Sequence, residues 1–239
     1  MPCGYGKWCG GAVCVFLVAA ALFCGVPDTA CAAARKTAKP APAMDAAGQS
    51  ALREASEAYN RRDYARAIKL LTPQAEKGSP QAAFALGLMA VRGHGMPQSA
   101  TTAAQWWGKA ARAGFPDAQY HLGLLHHRGL LGPRNAEIIA TLWKDAAAKG
   151  QAEAMYGFAM MLRAGDGVEK DVQGSARMLE SAARIGHPGA ALELGYMYKS
   201  GRGGVAKNAA SSRRYFQQAA DAGIPEAVRE LGGASGAKR

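Results

Sequence analysis

The chain has 239 residues, and its 29 Lys and Arg against 18 Asp and Glu give a formal net charge of +11. The basic residues are scattered along the chain, whereas a nucleic-acid interface needs a basic face with interleaved aromatic residues, so this pattern excludes nucleic acid as the partner. An acidic protein or an anionic envelope polymer fits the charge, and charge alone does not separate these two classes.

The first residues of the chain have the order of a secretory signal peptide. Lys7 is followed by an uncharged run over residues 12–26, then by Pro27 and a segment of small residues. We expect residues 1–32 to be removed by cleavage after Ala32, which leaves a periplasmic or secreted mature protein. The uncharged run has fifteen residues and a membrane span needs about 20, so an uncleaved membrane anchor is the alternative. Membrane association is expected only through such an anchor.

All of the cysteines lie inside this leader: Cys3, Cys9, Cys14, Cys24 and Cys31. The mature protein is therefore predicted to contain no cysteine, which excludes thiolate metal sites and cysteine nucleophiles. Disulfides would be permitted in an oxidising compartment. Because none can form, we expect the fold to be held together by packing alone.

Residues 33–49 are rich in Ala, Pro and Lys, a composition typical of a flexible linker, and we expect order to begin near Ser50. The chain then becomes repetitive, with a period that predicts an array of helix pairs. One glycine recurs at steps of 36, 36, 36 and 37 residues: Gly78, Gly114, Gly150, Gly186 and Gly223. An alanine stands three positions before and four positions after each of these glycines, and a Gly or Ala stands nine positions after.

The repeat glycine marks the boundary between two helices. It suits the left-handed residue that ends a helix, and four of the five glycines are followed two residues later by a proline, which is tolerated in a helix's first turn: Pro80, Pro116, Pro188 and Pro225. Fifteen residues before the glycine stands a helix-capping residue type: Asp63, Ser99, Asn135, Asp171 and Asn208. These signals predict a capping pair at 50–78, four repeats over 79–223, and a short capping helix with a disordered tail over 224–239.

Two further columns predict how the helices pack. Seven positions before the repeat glycine stands a bulky anchor that is expected to fill the space between helices: Leu71, Trp107, Trp143, Leu179 and Phe216. The small residue nine positions after the glycine lets two backbones approach closely. A larger residue at Gly123 or Ala159 is therefore expected to overpack the crossing.

Four units between Ser79 and Gly223 share the phrase A-x-x-L-G-x-M/L-x-x-x-G-x-G, followed by A-x-x-W-x-x-A-A-x-x-G. This phrase resembles the Sel1-like repeat (SLR), a relative of the tetratricopeptide repeat with longer units, and the pair at 50–78 resembles a tetratricopeptide unit. The resemblance implies a right-handed superhelical solenoid of antiparallel helix pairs, whose members generally act as adaptors for protein complexes. Leu131, in place of a loop glycine, and the extra residue at Gly203-Gly204 predict two loops that are bent differently.

No residue is a candidate for catalysis, for cofactor binding or for metal binding. His126 and His127 are adjacent and point about 100° apart on a helix, and no histidine has another at three or four positions. The Ser-x-x-Lys match at Ser235 to Lys238 lies in the tail without its partner motifs. Neither a glycine-rich phosphate loop nor a Gly-x-Ser-x-Gly elbow is present. We therefore predict a protein that is not an enzyme and carries no cofactor.

The first helix of each pair carries two apolar stripes, at positions 4, 8 and 11 and at positions 6, 10 and 13, counted from the repeat glycine. The second stripe either packs against neighbouring helices or lines the concave, binding face of the solenoid. Position 13 changes from Val91 to basic residues along the array, a variety that packing does not explain, so we expect a groove that becomes more basic toward the C-terminus. Six residues are candidate partner-binding residues: Tyr120, His127, Tyr156, Arg163, Tyr196 and Lys199.

Together these patterns predict an exported, non-catalytic scaffold that binds a protein or peptide through the concave face of an all-α solenoid. The alternative is a binder of an anionic envelope polymer such as peptidoglycan, whose affinity would fall steeply with ionic strength. A third hypothesis is an SLR-type enzyme that interacts with β-lactams. It comes from the resemblance, because some secreted SLR proteins are associated with penicillin binding. Those relatives carry one disulfide per repeat, and the repeats here contain no cysteine.

Overall fold

The computed structural model describes residues 46–233, and this part of the chain is all-α. The helices fall between the predicted glycines and capping residues: α1 Ala46–Asn60, α2 Tyr64–Glu76, α3 Pro80–Arg92, α4 Ala100–Arg112, α5 Pro116–His127, α6 Ala136–Ala147, α7 Ala152–Ala164, α8 Val172–Arg184, α9 Pro188–Ser200, α10 Ala209–Asp221 and α11 Pro225–Gly233. Each helix packs against the next one along the chain, so the helix pairs stack into a solenoid. Within residues 46–233, no helix is long and apolar enough to cross a membrane.

The helix boundaries confirm the chemistry predicted for them. All five repeat glycines have a left-handed backbone, with φ between 82° and 95°. Each predicted capping residue accepts a hydrogen bond from the backbone N–H three residues later, as Ser99 does from Thr102 and Asn135 does from Ile138. The residues at its two ends therefore mark the length of each helix in the local sequence.

The crossing within each pair is close because the position-9 residue is small. A Cβ atom placed on Gly123 would lie 2.5 Å from Nε1 of Trp143, and one placed on Gly195 would lie 2.6 Å from the ring of Phe216. Ala159 is tolerated in the third repeat because the anchor there is the smaller, buried Leu179. The predicted overpacking at these positions follows directly from the geometry.

Two predicted boundaries differ from the structure or fall outside it. Helix α1 begins at Ala46, four residues before the expected onset of order at Ser50, so residues 46–49 of the predicted linker are helical. The predicted signal peptide at 1–32 and the tail at 234–239 lie outside the described residues. At the loop where Leu131 replaces a glycine, Leu130 forms an isolated bridge with Gly132. The residue that caps the C-terminus of α5 is Arg128, whereas α3, α7 and α9 are each capped by a left-handed glycine.

Candidate partner-binding surface

The two stripes of the first helices differ in exposure. Positions 4, 8 and 11 are buried in α3, α7 and α9, as expected for the face that packs on the second helices. Positions 6 and 10 are half-buried, and Tyr196 is 38% exposed. We call this set the first-helix stripe: Phe84, Leu88, Tyr120, Leu124, Tyr156, Met160, Leu192 and Tyr196. Its side chains pack on their neighbours with one side and present apolar surface with the other.

The three candidate tyrosines lie in this stripe, and each is held by a second ring. Tyr120 stacks on Trp143 with ring centroids 6.0 Å apart, and Tyr156 stacks on His187 at 4.7 Å. Tyr196 packs edge to face on Phe216 at 5.1 Å. Burial raises the pKa of Tyr120 and of Tyr156, so both phenols stay neutral. The stripe therefore contains three tyrosine rings whose orientations are held by neighbouring rings.

The tryptophan anchors also hold the backbone of the stripe. Nε1 of Trp107 donates to the carbonyl oxygen of Phe84 at 3.1 Å, and Nε1 of Trp143 donates to that of Tyr120 at 3.2 Å. A buried indole N–H needs such an acceptor, and position 6 of the first helix supplies it. The anchor thus fixes the residue that the stripe presents.

Position 13 does not form the free basic groove that the sequence predicts. Nη1 of Arg163 lies 2.7 Å from a carboxylate oxygen of Glu193, and Nζ of Lys199 pairs with Glu230. His127 is exposed, with its ring centroid 5.5 Å from that of Trp143. The two glutamates belong to the next helix pair in the stack, and each offsets the charge of its basic partner. The two ion pairs therefore offset part of the basic charge expected along the groove, and the role of these residues in binding stays a prediction.

The partners of position 13 occupy position 7 of the following repeat, a column that the sequence reasoning missed. Read alone it has no pattern, because it contains residues of unlike chemistry: Ala85, His121, Gly157, Glu193 and Glu230. Read against position 13 of the preceding repeat, it pairs Arg163 with Glu193 and Lys199 with Glu230. The basic residues at position 13 of the last two repeats, Arg163 and Lys199, are therefore explained by ion pairs between repeats.

We call the contact between successive first helices a junction, and four of the five junctions are filled. In the α3/α5 junction His121 lies among rings, 5.0 Å from Trp107 and 5.4 Å from Phe84 between centroids. In the α5/α7 junction Trp143 lies against Gly157, where an added Cβ would approach the indole to 2.7 Å. The α7/α9 and α9/α11 junctions are closed by the ion pairs just described.

The α1/α3 junction is open and contains a pocket of about 330 Å³. Its wall is apolar, with Leu71 at the anchor position and Ala85 at position 7. Tyr59 and Arg92 stand at its polar end, where Nη1 of Arg92 donates to the Tyr59 hydroxyl at 2.9 Å. Among residues 46–233, no group of three or more His, Cys, Asp or Glu side chains is placed to hold a metal ion.

A family model described as the Sel1 repeat matches four consecutive segments: residues 80–115, 116–149, 151–187 and 188–224. Together they cover more than half of the chain and coincide with the helix pairs that follow α2. The chain belongs to the Sel1 repeat family. The comparison with curated proteins found no match.

Solved Sel1 repeat structures have the same arrangement of helices. This Sel1 repeat protein is 28% identical to c5321, a protective antigen of uropathogenic Escherichia coli with an SLR fold, with a TM-score of 0.73 over 77% of this chain. It is 27% identical to a Sel1 repeat protein from Oxalobacter formigenes, with a TM-score of 0.70 over 75% of this chain and 74% of that one. The match spans only 40% of c5321, so the relationship covers the repeat array and not the whole of that antigen.

Proposed function

We propose that this Sel1 repeat protein is an exported, non-catalytic scaffold that binds a polypeptide partner across the first-helix stripe. Sel1 repeat proteins generally mediate protein–protein interactions. The observation that carries the proposal is the half-buried apolar stripe at positions 6 and 10, in which one ring per repeat is held by a neighbouring ring. Export is supported by the order of residues 1–32, which is that of a secretory signal peptide.

The stripe has the properties that favour protein binding. Rings whose orientation is already fixed lose little side-chain entropy when a partner covers them, so more of the buried apolar area appears as affinity. The stripe also repeats once per helix pair, which suits an extended segment lying along several repeats. All residues of the stripe lie in helices, so the surface that meets the partner has a regular backbone.

The net positive charge of the chain favours the polymer alternative, but the charges beside the first-helix stripe favour it less. Arg163 and Lys199 are both paired with glutamates, so the basic residues nearest the stripe are partly neutralised. Binding of an anionic polymer would need free cations and would weaken steeply with salt. Binding through the first-helix stripe should change little between low and high ionic strength.

Site-specific photocrosslinking tests the proposal. A photoreactive phenylalanine analogue replaces Tyr196 on the stripe, and in a matched variant it replaces Thr141, which is exposed on the second helix α6. We expect a single adduct of defined mass from Tyr196 that excess unlabelled protein competes away, and no such adduct from Thr141. Equal yields from both positions would contradict the assignment of the stripe, and adducts made of glycan would support the polymer.

Export has its own test. The chain expressed with its leader is recovered from the periplasm or medium, and its N-terminus is sequenced. A mature form beginning at Ala33 is the expected result. A full-length form that stays with the membrane would support the uncleaved anchor instead.

A further inference from the structure

The pocket in the α1/α3 junction exists because two side chains there are small for their positions. Elsewhere a tryptophan or phenylalanine anchor, or an ion pair, closes the junction between first helices. Here the anchor is Leu71, and position 7 is Ala85. An aromatic side chain at either position would fill part of this space, and the pocket of about 330 Å³ is at the small end of the range for ligand sites.

The lining decides what chemistry fits. The walls are mostly aliphatic or thioether side chains, led by Leu52, Leu88 and Met89, and Ser56 and Gln81 complete the lining. Water in such a space gains few hydrogen bonds, so an apolar group that replaces it is favoured. The occupant is therefore a bulky apolar side chain rather than a polar one.

The polar end of the pocket adds a charge requirement. The guanidinium of Arg92 is positioned by its hydrogen bond to Tyr59, whose hydroxyl also lies 2.9 Å from Nδ1 of His94. His94 is in turn stacked on Tyr64 with centroids 4.5 Å apart. Arg163 and Lys199, one position earlier in their repeats, have glutamate partners, whereas Arg92 belongs to none of the ion pairs within residues 46–233. Its remaining donors are suited to a carboxylate.

We propose that the α1/α3 pocket binds one aromatic side chain of the partner polypeptide, next to an acidic side chain that pairs with Arg92. The proposal rests on the scaffold function and names the chemistry that such a partner carries. The ring takes the place that an anchor ring or an ion pair fills in the other junctions. The carboxylate does for Arg92 what Glu193 does for Arg163.

A blocked hexapeptide tests the pocket directly. The probe is acetyl-Gly-Gly-Phe-Glu-Gly-Gly-amide, added to the full chain carrying ¹³C-labelled methionine methyl groups. The signal of Met89, assigned by its loss in Met89→Leu, reports on the pocket wall. We expect a saturable shift of this signal. The peptide with Gln in place of Glu should bind about fivefold more weakly, since an exposed ion pair has a modest effect, and the peptide with Ala in place of Phe should give no saturable shift.

The variants use the repeat symmetry as a control. Arg92→Gln should bind the Glu and Gln peptides equally, whereas Arg128→Gln, at the same position of the next repeat, should keep the fivefold preference. Ala85→Phe should fill the pocket and abolish the shift without lowering the melting temperature, so that loss of binding is not loss of folding. A Met89 signal that does not move with the peptide, or an unchanged affinity in Ala85→Phe, would overturn the proposal.

The crosslinking experiment separates this proposal from the scaffold function. If the partner still crosslinks at Tyr196 but neither Ala85→Phe nor Arg92→Gln changes its yield, the pocket is not its anchor site and the scaffold function stands. If the hexapeptide binds but no partner is recovered at Tyr196, the pocket stands as a peptide site and the assignment of the stripe fails.

Discussion

The α1/α3 and α9/α11 junctions have the same arrangement of helices, but the first contains a pocket and the second is filled by side chains. In the α9/α11 junction Phe216 fills the crossing against Gly195, and Lys199 pairs with Glu230 above it. In the α1/α3 junction Leu71 and Ala85 leave a pocket with Arg92 at its polar end. The small residues and helix caps thus set the geometry of the stack. Whether a junction is closed or open to a ligand depends on the anchor, on the residue at position 7 and on the basic residue at position 13 or 14.

Removing an anchor from a closed junction should have the largest effect. Trp143→Ala deletes a buried indole and its hydrogen bond to Tyr120, and we expect a loss of about 3–5 kcal/mol in the free energy of unfolding. Urea denaturation measures the change. Trp106→Ala, in the neighbouring repeat, removes a tryptophan that is only half-buried and should cost clearly less. Similar losses for the two variants would mean that the anchors do not close the junctions.

The same enlargement at position 7 should have opposite signs in an open and a closed junction. Gly157→Leu must displace Trp143 and should cost about 1–3 kcal/mol. Ala85→Leu extends into the α1/α3 pocket and should stabilise the protein by about 0.5–2 kcal/mol. Parallel denaturant titrations test the pair. Destabilisation by Ala85→Leu would show that the pocket is not available for packing.

Acid should weaken the α3/α5 junction through His121. Burial lowers the pKa of His121 below its ordinary value of 6.5, because a charged imidazole is disfavoured among the rings of Phe84 and Trp107. The unfolded chain then binds more protons than the folded one below pH 6.5, so stability is full above that pH and falls as the pH drops through the folded pKa. The charged residues that act on His121 are Asp117 and Glu153, which raise its pKa, and Arg92 and Arg128, which lower it.

Thermal unfolding between pH 5 and pH 7.5 measures this effect. His187, whose pKa burial also lowers, contributes in the same direction at a different junction. His121→Gln should therefore reduce the slope of stability against pH without abolishing it, because the contribution of His187 remains. An unchanged slope would place the effect elsewhere.

Breaking the ion pair of the α7/α9 junction should have the smallest effect. Arg163 and Glu193 are both partly exposed, so solvent screens their attraction, and a double-mutant cycle of Arg163→Ala with Glu193→Ala should give a coupling of about 0.2–1 kcal/mol. The coupling should shrink in high salt. A coupling of zero would mean that the pair is not what closes this junction.

The sequence predicted the local part of the fold well and the junctions poorly. Gly114 with Pro116, and Ser99 before its helix, act within a few residues, so their roles are visible along the chain. The pairing of Arg163 with Glu193 joins residues thirty positions apart on different repeats. Position 13, considered alone, was predicted to form a basic surface, because its glutamate partners stand at position 7 of the next repeat. The candidate tyrosines were found because they stand at positions 6 and 10 of the first helices, and their role in binding stays a prediction.

The sequence by itself determined the period, the start and end of each helix and the close crossing within each pair. Those features depend on backbone preferences and on residue size at fixed spacings, which a single chain displays directly. Only the tertiary structure decided which charges are neutralised, which rings are held and where the stack is left open. Each of those outcomes depends on side chains from three helices meeting at one junction, as Leu52, Leu71 and Ala85 do at the pocket.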